Sequence, residues 1–147
     1  MSIIDLYDLF IHNPQITTDS RNCPKGSIFF ALKGDKFDGN QYAGKALASG
    51  CVYAVIDNPD YYIGERTILV DNVLKTLQQL AHHHRKVLGL PIIGITGTNG
   101  KTTTKELLAA VLSTKFNLLY TEGNFNNEIG LPLTVFNLRE EHEVAVL

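Results

Sequence analysis

Apolar and polar positions alternate along this chain in blocks of two lengths. Short apolar runs of strand length occur at Ile28–Leu32, Cys51–Ile56 and Thr67–Val70, each bounded by glycine or turn residues. Longer stretches with helical spacing fall between or after them. One is predicted from Gly39 to Ser49, with Asp38 as its N-cap and Gly50 as its stop. A second is capped by Asn72 and runs to Leu88. Its apolar positions are Val73, Leu77, Leu80, Ala81, Val87 and Leu88, and Gly89-Leu90-Pro91 ends it. Between these elements, Asp57-Asn58-Pro59-Asp60 is turn chemistry.

The alternation continues in the second half. Pro91–Thr96 is an apolar run, Thr102–Lys115 a helix with Leu107, Leu108, Val111 and Leu112 on its apolar side, and Leu118–Tyr120 a strand. A polar loop follows, then a short helix from Leu131 to Asn137 and a last strand over Glu143–Leu147. Strands alternating with helices predict α/β layers built on mainly parallel sheets. The break near Pro91 predicts two domains, residues 1–88 and 89–147: a small N-terminal α/β domain, then the beginning of a parallel-sheet domain. The last apolar strand reaches Leu147 with no turn or cap, and so few strands bury a poor core. The expectation is therefore the front part of a longer protein.

The junction between the Pro91–Thr96 run and its helix carries the chemistry. It reads Gly97-Thr98-Asn99-Gly100-Lys101-Thr102-Thr103. A strand, a glycine turn, a lysine and a helix N-terminus are the parts that hold a polyphosphate. The turn exposes backbone N–H groups and the helix end adds partial positive charge. Lys101 is predicted to reach the outer phosphates and to be the catalytic cation. The Thr102 hydroxyl is predicted to ligate the magnesium that accompanies ATP. The general pattern places a glycine where Ile95 stands, so this is a shorter G-x-x-G-K-T loop.

Composition and charge narrow the partners. With 44% hydrophobic and 19% charged residues the chain has ordinary globular composition. A net charge of −2 gives no general attraction to nucleic acid or anionic membrane. Two cysteines, Cys23 and Cys51, lack metal spacing, and no apolar run approaches a membrane span. The N-terminus has no signal-peptide pattern. A cytoplasmic monomer without nucleic-acid partner or membrane insertion is expected.

Several segments match a known family. Thr18-Asp19-Ser20-Arg21, Gly26 to Gly34, and Asp38-Gly39-Asn40 resemble the N-terminal domain of the Mur ligases. These ATP-dependent amide-bond ligases build the peptide stem of bacterial peptidoglycan. The Gly97–Thr103 loop is similar to their short phosphate loop. Thr121 to Thr134, with Asn124, Asn126, Asn127 and Gly130, resembles the member that joins D-alanyl-D-alanine to UDP-N-acetylmuramoyl-tripeptide.

The resemblance implies a reaction through an acyl phosphate, with ATP and Mg2+ as cofactors. It implies that Asp19, Ser20, Arg21 and the Lys33-Gly34 to Asn40 loop hold the UDP end of the substrate. Asn124, Asn126 and Asn127 would offer donors and acceptors to sugar or phosphate. The same residues have plainer readings: an Asp19–Arg21 pair on a solvated turn, and asparagines that form turns. The family often has His where Asn40 stands, so the resemblance assigns position 40 no role. It also implies further catalytic parts absent from these residues, so the chain alone is expected to have no ligase activity.

Three alternatives remain open from sequence: a relative adding the third stem residue or glutamate to folate, a non-catalytic nucleotide or UDP-sugar module, and a phosphate-loop kinase or GTPase. The last lacks a visible lid and strand-end aspartate. Three consecutive histidines, His82-His83-His84, point in three directions on a helix and are predicted to be a solvated face. Tyr61-Tyr62 is predicted to pack in a loop, and Glu140-Glu141 to form a solvated turn.

Overall fold

In a computed structural model, which describes residues 1–121 and 127–147, the chain divides into two compact units, Met1–Leu80 and Ala81–Leu147. The first contains helix α1 (Ile3–His12), strands β1 (Ile16–Thr17) and β2 (Ile28–Phe30), hairpin strands β3 (Lys33–Gly34) and β4 (Phe37–Asp38), helix α2 (Ala43–Ser49), and strands β5 (Tyr53–Ile56) and β6 (Thr67–Leu69). Helix α3 (Val73–Leu88) runs on into the second unit. The sequence pattern sets the boundary at 88/89. The contacts divide the chain eight residues earlier because the last turns of α3 hold His84, which bonds to the Leu138 carbonyl.

Helix α1 has a reciprocal N-terminal box that the pattern reading passes over. The Asp5 carboxylate accepts from the Ser2 N–H and hydroxyl, while the Ser2 hydroxyl accepts from the Asp5 N–H. The predicted helix from Gly39 begins instead as a 3-10 turn, Gly39–Tyr42, and becomes α-helical at Ala43.

Strands β1, β2, β5 and β6 form one sheet in that order, every pair parallel. Phe29, Ala31, Ala54 and Ile56 form one core cluster with Ala43, Ala46 and Cys51. Ile28, Phe30 and Val55 alternate to the opposite face and are also fully buried. Burial on both faces explains why these strands read as unbroken apolar runs. Parallel pairing also brings the carboxyl ends of all four strands to one edge, where ligands bind in open α/β sheets.

The second unit contains β7 (Ile92–Ile93), α4 (Lys101–Leu112), β8 (Leu118–Tyr120), α5 (Gly130–Val135) and β9 (Val144–Val146). Its sheet has the order β7-β9-β8 and is parallel throughout. Helix α4 differs from its predicted packing. Leu107 and Val111 are 64% and 67% exposed, whereas Lys105 and Ala109 are buried. Leu108 and Leu112 are half-buried, so the inner face runs through positions 101, 105, 108, 109 and 112.

The histidine run also departs from its expectation. His82 is exposed, yet His84 is buried against the Phe136 ring and its Nε2 lies 3.1 Å from the Leu138 oxygen. A helix turns by about 100° per residue, so three neighbours cannot share one environment.

Candidate functional site

The predicted phosphate loop leaves the carboxyl end of β7. The ladder persists past the strand, since Ile95 N–H donates to the Leu147 carbonyl at 2.8 Å. Gly100 then takes a left-handed conformation with φ +75° and forms the N-cap of α4. A side chain is strained at that φ, which is the physical need for glycine there. Lacking a side chain, Gly100 leaves the first-turn N–H groups of α4 uncapped. No acidic residue of that turn offsets the positive end of the 12-residue helix.

The loop residues Gly97, Thr98, Asn99 and Gly100 are exposed, as are Thr102 and Thr103. Lys101 folds back across the loop, and its ammonium donates to the Gly97 carbonyl oxygen. All seven predicted residues are therefore gathered in one exposed turn.

At the carboxyl end of β8 stands a residue that the motif reading assigned no chemistry. Thr121 is 2% exposed, its N–H donates to the Val146 carbonyl, and its hydroxyl has no hydrogen-bond partner among the described residues. No sequence signal marks it, because its burial follows from the sheet order.

The other predicted residues divide by position. Asn124 and Asn126 lie outside the described residues. The Asn127 Oδ1 accepts from the N–H groups of Ile129 and Gly130, at 3.2 and 2.6 Å, so its side chain shapes the entry to α5.

Asp19, Ser20 and Arg21 follow β1, and Lys33 follows β2, all at the carboxyl edge of the first unit's sheet. Arg21 grips the Asp19 carboxylate with Nε and Nη2 at 2.9 and 2.8 Å. That pairing holds the Asp19 carboxyl down at about 2. The Cys23 thiol lies 3.5 Å from the Ser20 carbonyl and supports the turn from below. Burial, helped by the neighbouring Cys51 thiol, pushes Cys23 up to about 11, which disfavours its thiolate.

Lys33 is also paired. Its Nζ lies 2.8 Å from Oδ1 of Asp57, just past the carboxyl end of β5. The same carboxylate accepts from Asn40 Nδ2 at 3.0 Å and from Val73 N–H at 3.2 Å. Burial alone would raise the Asp57 carboxyl, but these bonds outweigh it and lower it. Lys33 is correspondingly raised, chiefly by its bond to Asp57. Asn40 is fully buried and uses every polar atom. Its Nδ2 also donates to Asp38, and its Oδ1 accepts from the N–H groups of Asp57 and Asn58. An asparagine thus ties the 3-10 turn after β4 to the end of β5. Asp57 reads as turn chemistry in sequence, and nothing there reveals that it collects these partners.

Residues 12–85 match the model described as Mur ligase family, catalytic domain, and residues 95–147 match the Mur ligase middle domain. The chain belongs to the Mur ligase family. Among its relatives is the UDP-N-acetylmuramoyl-tripeptide–D-alanyl-D-alanine ligase of Bacillus subtilis, 44% identical over 134 residues, which cover 90% of this chain and 29% of that protein. Similar solved structures include MurF from Acinetobacter baumannii, at 38% identity and a TM-score of 0.84, covering 90% of this chain and 29% of that one. MurF ligase from Thermotoga maritima in complex with ADP gives 33% identity and a TM-score of 0.84, covering 95% and 32%. The chain thus spans under a third of the length of these relatives.

Within the Mur ligase fold the two sets of predicted residues sit in separate units, the phosphate loop in the second and Asp19–Lys33 in the first. An open cavity of about 360 Å³ in the first unit lies near the amino ends of α1 and α3, lined by Ser2, Leu6, Val70, Asn72 and Lys75 among others. It includes none of the predicted substrate residues.

Proposed function

We propose that this chain carries the nucleotide-phosphate and UDP-substrate portions of an ATP-dependent ligase. The reaction joins D-alanyl-D-alanine to UDP-N-acetylmuramoyl-tripeptide in the cytoplasm, by way of an acyl phosphate. The observation that carries this reading is the likeness to MurF-named proteins across both units, with the uncapped phosphate loop in place. On this reading residues 1–88 serve the UDP end and residues 89 onward the ATP.

The chemistry follows from charge. A tripeptide carboxylate attacking the γ-phosphate brings two anions together. Lys101 would offset that repulsion once a phosphate draws its ammonium from the Gly97 carbonyl. Backbone N–H groups from Thr98 to Thr102 would cradle the β-phosphate. Among the described residues no three His, Cys, Asp or Glu side chains gather to hold a metal. The exposed Thr102 hydroxyl would be a ligand to a magnesium ion carried on the nucleotide's phosphates. Bound there, magnesium would supply further charge neutralisation at the phosphates. Asp19, Ser20, Arg21 and Lys33 would hold the uridine end, and Asn124, Asn126 and Asn127 the sugar or phosphate.

Thermal-shift titration with UDP-N-acetylmuramoyl-tripeptide and with Mg-ATP tests the reading. Both are expected to stabilise the chain, and a folate to leave it unchanged. Stabilisation by folate and not by the UDP-tripeptide would move the chain to another branch of the family.

A further inference from the structure

Both basic side chains assigned to the UDP end already hold a carboxylate of their own chain: Arg21 holds Asp19, and Lys33 holds Asp57. The two pairs differ in kind. Arg21 and Asp19 are 82% and 44% exposed at the side chain, so their pairing is a surface contact that a ligand can exchange. Asp57 is only 9% exposed and is fixed from three directions by Lys33, Asn40 and the Val73 N–H. Its carboxylate cannot swing away without losing its bonds to Asn40 Nδ2 and to the first N–H of α3.

We propose that Asp57 is a positioning residue, and that it holds Lys33 as an oriented donor to a neutral oxygen of the uridine end rather than to the diphosphate. This rests on the UDP-substrate reading above. An ammonium has three N–H donors. One points at Asp57 Oδ1, and a side chain 48% exposed leaves the others facing solvent at the carboxyl edge of the sheet.

The fixed pairing has two consequences. It restrains a flexible side chain before the ligand arrives, which removes part of the ordering cost of binding. It also cancels the lysine's net charge locally. That weakens its pull on a diphosphate and leaves its hydrogen bonding to a carbonyl or hydroxyl intact. The same carboxylate steadies Asn40 and hence the Asp38-Gly39-Asn40 turn beside Lys33.

The test is calorimetric or NMR titration of the wild type, Lys33→Met, Asp57→Asn and the double variant with uridine and with UDP, at low and high salt. Lys33→Met is expected to weaken uridine and UDP by the same factor, about tenfold for one charge-assisted hydrogen bond. Asp57→Asn is expected to weaken both, and to add almost nothing in the Lys33→Met background.

A loss confined to UDP, a tighter UDP complex in Asp57→Asn, or additive losses would each overturn the proposal. Should Asp57→Asn fail to fold, the Lys33→Met comparison of uridine with UDP decides alone. A wild type that binds neither ligand overturns both this inference and the UDP-substrate reading. A wild type that binds both, with an unchanged Lys33→Met, overturns this inference only.

Discussion

The ammonium of Lys101 rests on the carbonyl oxygen of Gly97, four residues back in the glycine loop. The contact gives the ammonium one acceptor within the loop that precedes the uncapped first turn of α4. A phosphate has to take the ammonium from that carbonyl, exchanging a neutral acceptor for an anionic one. Lys101→Ala is therefore expected to lower Mg-ATP affinity at least tenfold while leaving the fold intact. Isothermal titration with a circular-dichroism control measures both.

Thr121 supplies a stability test. Its buried hydroxyl has no partner among the described residues, and a hydroxyl left so carries a desolvation cost that an apolar isostere avoids. Thr121→Val is expected to stabilise the second unit by about 1 kcal/mol in urea denaturation. A loss of stability of that size would show that the hydroxyl is bonded in solution.

Gly39 is needed for space, since a Cβ there would lie 2.4 Å from the Leu32 oxygen and 2.7 Å from the Ala31 carbonyl carbon. Both are backbone atoms and cannot rotate away. Gly39→Ala is expected to cost about 1–3 kcal/mol and to displace the Asn40 turn from Asp57. The denaturation midpoint reads the first effect, and the Asn40 side-chain amide resonances read the second.

His84 gives the second unit a pH dependence of known sign. Burial lowers its pKa in the folded state, with Arg139 and His83 adding to the effect and the Leu138 bond opposing it. The unfolded chain therefore takes up a proton first as pH falls below the ordinary value of 6.5. Stability is full above that pH and declines below it. His84→Gln is expected to keep a donor for Leu138 and to flatten the decline between pH 7 and 5, read by denaturation at each pH.

How far the sequence alone carries depends on the reach of each signal. The strands at 28–30, 53–56 and 67–69, and the helix from Val73 to Leu88, follow from apolar blocks and caps close in sequence. The glycine turn from Gly97 to Gly100 and the start of α4 are legible for the same reason, being contiguous. Helix α1 carries its signal in the capping box that Ser2 and Asp5 spell, not in an apolar block. The packing of α4 was half legible. Leu108 and Leu112 turn inward as the pattern suggests, but Lys105 is buried while Leu107, which apolarity alone would turn inward, is exposed. Asp57 was illegible because its partners Lys33, Asn40 and Val73 lie 24, 17 and 16 residues away and meet only through the parallel sheet.

The central claim is that the loop from Gly97 to Thr103 holds nucleotide phosphate. Backbone amide NMR of the chain during Mg-ADP titration tests it most directly. The account predicts saturable shifts centred on Gly97 to Thr103 and the first turn of α4, and their loss in Lys101→Ala. Shifts centred elsewhere, or none at millimolar Mg-ADP, would contradict it.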